Sequence, residues 1–210
     1  MALTYPLSTP TTIGIENIEF RAVNAVATSQ SPFTYKQQIV QHTGQRWEAT
    51  ITIPPVKRDL AEEWVAFILA LKGQTGTFLL GDPLGTAPRG TASSNAGTPV
   101  VNGADQTGEV INIDGLPTSE TGYLLAGDYI QLGSGSTATL HKVLEQVNTT
   151  GLGEASFAIW PSIITAPADN AIVTLTNAKG RFRLKNNTQS WQINNINSYG
   201  ISFEAVQAIP

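Results

Sequence analysis

The chain has 210 residues, of which 41% are hydrophobic, so it can bury the core of one large domain or two small ones. Only 13% of the residues are charged, against about 25% in typical soluble domains, and the formal net charge is −4. The absence of cysteine excludes disulfides and thiolate metal sites and fits synthesis in a reducing compartment. The opening segment MALTYPLSTPTTIG lacks a basic region followed by an apolar run, so we expect no secretory signal.

The first part of the chain predicts strands. IENIEFRAV (15–23) is one, and FTYKQQIV (33–40) and RWEATITI (46–53) both alternate with a period of two. The polar tract QHTGQ between the last two predicts a turn, so we expect a hairpin with one packed face that includes Trp47 and that ends at Pro54-Pro55. Its other face carries four residues that we predict to contact a neighbouring subunit: Lys36, Gln38, Arg46 and Glu48.

One strong helix is predicted, over residues 60–72. Asp59 and Glu62 fit a capping box at its start, and Gly73 fits the position just after its end. The apolar face has helical spacing and should lie in the core: Leu60, Trp64, Phe67, Ile68 and Leu71. The apolar run from Trp64 to Leu71 is far shorter than the roughly 20 residues that span a bilayer, so we expect no membrane insertion.

The strand GTFLLGD (76–82) follows the helix, and composition then changes. A Gly/Ser/Pro/Ala-rich linker begins at about residue 84, and beyond it lie short strand candidates separated by glycine turns. Residues 97–178 hold eight acids and one lysine, net −7, whereas the remainder holds eight acids and eleven bases, net +3. We therefore predict a discontinuous first domain (1–88 and 179–210) and an inserted acidic domain (89–178).

Together these patterns predict a mainly β protein. The first domain is expected to be a β-sandwich with one packed α-helix. The insert is expected to be a small all-β barrel or sandwich.

The last part of the chain begins with a cationic strand, KGRFRLK. Lys179, Arg181, Arg183 and Lys185 share one face of it, and Phe182 and Leu184 share the other. The basic face has no interleaved aromatic residue and the chain is acidic overall, so specific nucleic-acid binding is not expected. We predict instead that Arg181 and Arg183 are subunit contacts, and that this strand meets the acidic insert of a neighbouring copy.

Motifs that would indicate catalysis are missing from the sequence. There is no P-loop, GxSxG, HExxH or dinucleotide fingerprint, and His42 and His141 have no partner at metal-ligand spacing. Asp114 and Asp128 stand beside glycines, where turn formation is the ordinary role of aspartate. We expect neither enzymatic activity nor a cofactor or metal; a cell-wall hydrolase is the third alternative and would require a pair of carboxylates in a cleft.

Residues 31–83 resemble the N-terminal domain of distal tail proteins of long-tailed, siphovirus-type bacteriophages and prophages. The similarity lies in the F-x-Y-x-x-Q segment, the tryptophan that opens RWEATITI, the Pro-Pro pair, the AEEWVAFILALKG helix and the GTFLLGDP strand. The closing FRLKNNTQSWQIN…YGISFEAVQA resembles the end of the same domain. Together these segments cover about half of the chain.

The resemblance implies a structural role. Such proteins form a ring, usually a hexamer, at the virion tail tip and are assembled in the host cytoplasm. The ring joins the tail tube protein to the central hub protein, and the tape-measure protein is a further expected partner. The alternative function is a carbohydrate-binding module, in which the insert attaches the tail to host surface glycans.

Overall fold

A computed structural model describes residues 3–195 and 198–209; the predicted domain ends at residues 1 and 210 lie outside this part. Within these residues the chain is mainly β, with a single α-helix, as predicted from the sequence. Its strands form two sheets, one shaped as a half-barrel and the other as a nearly closed barrel.

The half-barrel, called here the first sheet, has seven strands from both ends of the chain. In chain order they are β1 (Leu7–Ser8), β2 (Asn17–Gln30), β3 (Gln37–Lys57), β4 (Phe78–Leu80), β11 (Gly180–Leu184), β12 (Trp191–Ile193) and β13 (Ser198–Gln207). Their order across the sheet is β1-β4-β11-β13-β3-β2, and β12 pairs with β13. A single curved sheet thus takes the place of the two facing sheets of the expected sandwich, and the helix forms the layer that packs on it.

The barrel has six strands. They are β5 (Val100–Val101), β6 (Gly108–Asp114), β7 (Tyr129–Leu132), β8 (Thr139–Val143), β9 (Ala155–Ile163) and β10 (Val173–Thr174), in the order β10-β7-β8-β9-β6-β5. An isolated bridge between Val100 and Ile172 brings the two ends of this sheet together. The strands of the barrel therefore all come from residues 100–174, between the two segments that build the first sheet; the exact domain boundaries remain a prediction.

Helix α1 (Arg58–Ala70) packs on the first sheet. Trp64, Phe67, Ile68 and Leu71 are buried in the same core as Trp47. The Trp64 ring lies 5.6 Å from that of Phe67 and 6.1 Å from that of Phe203 on β13. These contacts explain why a run of large apolar side chains at helical spacing faces the sheet.

The start of α1 differs from the prediction. The cap position is Lys57, without a side-chain cap, and Asp59 lies in the first turn. Glu62 pairs with Arg58 one turn earlier, at 3.1 Å, so it does not complete a capping box. Leu60 was predicted to face the core but is 42% exposed in the first turn, where Ala61 is the residue buried against the sheet.

The predicted hairpin between 33–40 and 46–53 is wrong. Residues 37–40 and the whole of 46–53 belong to one strand, β3, which runs unbroken for 21 residues, and its hairpin partner is β2. The turn lies at 31–36, and the tract QHTGQ continues the strand. Pro54-Pro55 also lies within β3, because the two prolines sit at a register shift between Ile53↔Ile201 and Val56↔Tyr199, where no regular ladder donor is needed.

Candidate interaction surfaces

The hairpin of β2 and β3 extends beyond the core as an arm, defined here as residues 24–44. Nearly all of its residues are exposed, and Lys36 is its one charged residue. Six residue steps along each strand give a length of about 20 Å at 3.4 Å per residue, before the turn is added. The arm is thus a long, almost uncharged extension of the first sheet.

Apolar side chains stand exposed along the arm. Phe33 at the turn is 92% exposed and Tyr35 is 73% exposed. Further along the strands, large apolar side chains point to both faces and are also exposed: Val26, Ile39 and Val40. Exposed apolar surface of this kind makes the arm a candidate interaction site.

Strand β2 is also the last strand of the first sheet, so its outer edge is free of a strand partner among the described residues. From Ala22 to Gln30 this edge carries no charge and no proline. Proteins usually protect long edge strands with such residues because unpaired N–H and C=O groups invite pairing with another chain. The edge of the arm is therefore suited to extend a sheet into a neighbouring subunit.

The base of the arm is held by the barrel. Gln45 is buried; its side-chain oxygen accepts a hydrogen bond from the Ser162 backbone N–H at 2.7 Å, and its Nε2 donates to Glu109 Oε1 at 3.2 Å. On the other strand, Trp160 Nε1 donates to Asn24 Oδ1 at 2.8 Å. These bonds fix the direction in which the arm leaves the sheet.

Charged side chains cover the outer face of the first sheet. Arg21 Nη2 on β2 lies 3.1 Å from Glu204 Oε1 on β13. On β3, Glu48 lies 2.7 Å from Arg46 and 3.0 Å from Lys185, which follows β11. Glu48 is buried and burial opposes its ionised form, but hydrogen bonds from Lys185 and Arg46 outweigh this and lower the pKa of the carboxyl.

The predicted contact residues therefore fall in different environments. Lys36 and Gln38 lie on the exposed arm. Arg46 and Glu48 are paired with each other near its base, so Glu48 is occupied inside the chain. Arg181 and Arg183 lie half-buried on β11, away from the arm. Sequence reasoning missed the arm itself, although the single charge in residues 24–44 was a visible signal.

Of the histidines and aspartates considered for chemistry, Asp128 and His141 are buried and hydrogen-bonded inside the chain. Asp128 is buried, pairs with Arg89 at 3.0 Å and accepts the Leu125 backbone N–H at 2.8 Å, which holds a turn. His141 is buried on β8, and His42 is exposed on the arm. Within the described residues, no three His, Cys, Asp or Glu side chains group as a metal site. No helix in this part of the chain is long and apolar enough to cross a membrane.

Comparison with protein-family models gives no match to this chain, and comparison with curated proteins gives none either.

Proposed function

We propose that this protein is a structural subunit of a bacteriophage tail tip, forming a ring that joins the tail tube to the central hub. The observation that carries the proposal is the arm, whose exposed apolar residues and free edge strand require a partner surface. The resemblance of residues 31–83 to distal tail proteins supplies the identity of the assembly. In this proposal the chain binds neighbouring copies and other tail proteins and catalyses no reaction.

A ring follows from the kind of contact that the arm offers. The arm is an extension on one side of the subunit, and a second copy must receive it on a different surface. Such head-to-tail contacts produce a closed ring when the rotation between subunits divides the circle, and a hexamer is the symmetry that the resemblance implies.

The carbohydrate-binding alternative receives less support. Sugar-binding sites commonly use exposed aromatic rings, but Tyr123, Tyr129 and Phe157 of the insert are buried. The insert's remaining aromatic residue, Trp160, packs edge-on against Trp47 with the ring centroids 4.5 Å apart. Binding of the intact protein to a glycan array would revive this alternative.

The test of the ring is the oligomeric state of the purified full chain, measured by mass photometry and negative-stain electron microscopy. We expect rings for the unmodified protein, alone or with its tube partner. Replacing Phe33, Tyr35 and Ile39 by serine should shift the mass toward monomer, because it removes the apolar contact surface of the arm.

A matched control replaces two exposed leucines outside the arm, Leu84 and Leu152, which are 95% and 82% exposed. These serine variants should assemble like the unmodified protein. A protein that stays monomeric both alone and with tube partners would contradict the proposed function.

A further inference from the structure

The basic side chains on and beside strand β11 differ in whether they form an ion pair with an acid. Lys185, just past its end, lies 3.0 Å from Glu48 and 3.6 Å from Glu204. Arg183 has no ion pair or hydrogen bond to its side chain among the described residues. The Arg181 side chain donates, within the described part of the chain, to the Ala208 carbonyl alone, at 3.3 Å from both Nε and Nη2. Among the described residues, three of the four bases in this row therefore form no salt bridge: Lys179, Arg181 and Arg183.

Arg181 and Arg183, called here the arginine pair, lie two residues apart on the same face of the strand. Burial and the charge of the neighbouring Arg183 both lower the pKa of Arg181, because both disfavour its positively charged form. The acids of the same face, Glu48 and Glu204, are already taken by other bases. Lys179 extends the row, but it lines a surface cavity together with Asp82, so the argument rests on the two arginines.

The barrel, by contrast, carries acidic side chains that form no ion pair with a base among the described residues. At one end of it three acids gather around the loop 102–106: Asp105, Glu154 and Asp169. Asp169 accepts the Gly103 backbone N–H at 2.9 Å, and Asn102 Nδ2 lies 3.5 Å from Glu154 Oε1. None of the three acids takes part in an ion pair within the described chain. The one base in residues 97–178, Lys142, lies over the Tyr129 ring at 3.9 Å.

We propose that the arginine pair binds the acidic end of the barrel of a neighbouring copy of this chain. The two surfaces are different, carry opposite charge and form no ion pairs among the described residues of their own subunit, which suits a head-to-tail ring contact. The inference rests on the proposed ring and adds to it a second contact, separate from the arm. It also gives the barrel a role in setting which subunits fit together.

The test compares the association of the full chain with that of Arg181→Glu/Arg183→Glu by mass photometry at low and high salt. We expect the unmodified protein to associate more weakly as salt rises, because salt screens exposed charges. The reversed chain should associate at least about tenfold more weakly at low salt, since like charges then meet. Arg183→Glu alone should show the same direction, and it removes no hydrogen bond within the subunit.

The control is Lys57→Glu/Lys72→Glu, which makes the same change in net charge at two exposed lysines and should associate like the unmodified chain. Adding Asp105→Lys and Glu154→Lys to the reversed chain should restore association, and these two changes spare the hydrogen bond that the Gly103 backbone N–H donates to Asp169.

If the reversed chain associates as the control does, the inference is wrong while the ring stands. If it is weakened but the added lysines do not restore it, the barrel is not the partner and the inference is also wrong. A monomeric unmodified protein contradicts the ring itself and, with it, this contact.

Discussion

His141 is a base enclosed in the protein interior. Its Nδ1 lies 2.7 Å from the Pro161 carbonyl oxygen, so Nδ1 carries the proton, and Nε2 lies 2.8 Å from the Thr139 hydroxyl, which donates to it. Burial lowers the pKa of His141 to about 4, against a smaller opposing effect of the Pro161 carbonyl. The side chains around the small cavity beside the ring, including Gln45, Gln207 and Ile209, carry no charge.

This histidine should make the fold sensitive to mild acid. In the unfolded chain the pKa is ordinary, about 6.5, so the unfolded state binds a proton first as pH falls. The contribution of His141 to the free energy of unfolding should be fully present above this pH. The free energy of unfolding should then fall by about 2 kcal/mol between pH 7 and pH 5. Urea unfolding followed by tryptophan fluorescence across this range measures the change.

A matched pair of variants isolates the cause. His141→Asn should be less stable at pH 7 but should lose the dependence on pH, whereas replacing the exposed His42 by glutamine should keep it. Glu48 contributes little here, because its pKa is lowered in the folded chain and the stability this adds is lost mainly below pH 5, as the unfolded carboxyl takes up its proton. An unchanged slope in His141→Asn would show that another group titrates.

At the scale of elements, the sequence predicted the helix and strands that depend on the spacing of neighbouring residues. The helix was predictable because Trp64, Phe67, Ile68 and Leu71 repeat at helical spacing, and the strands of the barrel because alternation and glycine turns delimit them. The arm was not, because Gly44 and the polar residues beside it suggest a turn. In the structure, residues 42–44 form a bulge opposite Ala25, and a Cβ on Gly44 would lie 3.2 Å from Ala25 Cβ.

The interaction surfaces divide in the same way. The arginine pair was predictable from the period of its strand. Among the described residues, the arginine pair lacks counterions because Glu48 and Glu204 form ion pairs with Lys185, Arg46 and Arg21 instead. The order of the strands in the sheet determines these pairings. Sequence spacing carries no information on such pairings between distant segments.

The bonds at the base of the arm should show in stability. Gln45→Ala removes both bonds of a buried amide and leaves the Ser162 N–H without its acceptor, so we expect a loss of about 2 kcal/mol in the free energy of unfolding. Gln41 also donates to Glu109, at 3.3 Å, but is exposed, so Gln41→Ala should cost less than about 0.5 kcal/mol. Equal losses would mean that burial of the amide is not what matters.

At the scale of the whole molecule, the core of the first sheet includes residues of the barrel, whereas the core of the barrel includes none of the first sheet among the described residues. Among the residues that the structure describes, those in the core of the barrel all lie between Ala92 and Leu175. The core of the first sheet, by contrast, includes Tyr129 and Leu140 from the barrel. Trp47 lies against the rings of Tyr129 and Trp160, and its Nε1 donates to the Leu140 carbonyl at 3.0 Å.

This asymmetry predicts what happens when the barrel is cut out. The chain enters and leaves it at neighbouring points, since the Asn177 N–H donates to the Thr86 carbonyl at 2.6 Å, so a short Gly-Ser linker can replace residues 87–176. The barrel alone should unfold cooperatively, because its core is complete. The remaining sheet should lose at least about 3 kcal/mol, because Trp47 loses two aromatic contacts and one hydrogen bond and Gln45 loses its bonds to Ser162 and Glu109.

Urea unfolding of the intact chain, the excised barrel and the remaining sheet measures both halves of this prediction. Adding Trp47→Thr to the remaining sheet should make it more soluble than the same sheet with Trp47. Without the barrel this tryptophan is exposed, and the substitution removes it from the surface. A remaining sheet as stable as the intact chain would mean that the barrel is merely tethered, and it could then not hold the arm in a fixed direction. A barrel that fails to fold alone would place part of its stability in the junction, which the separation of the two cores argues against.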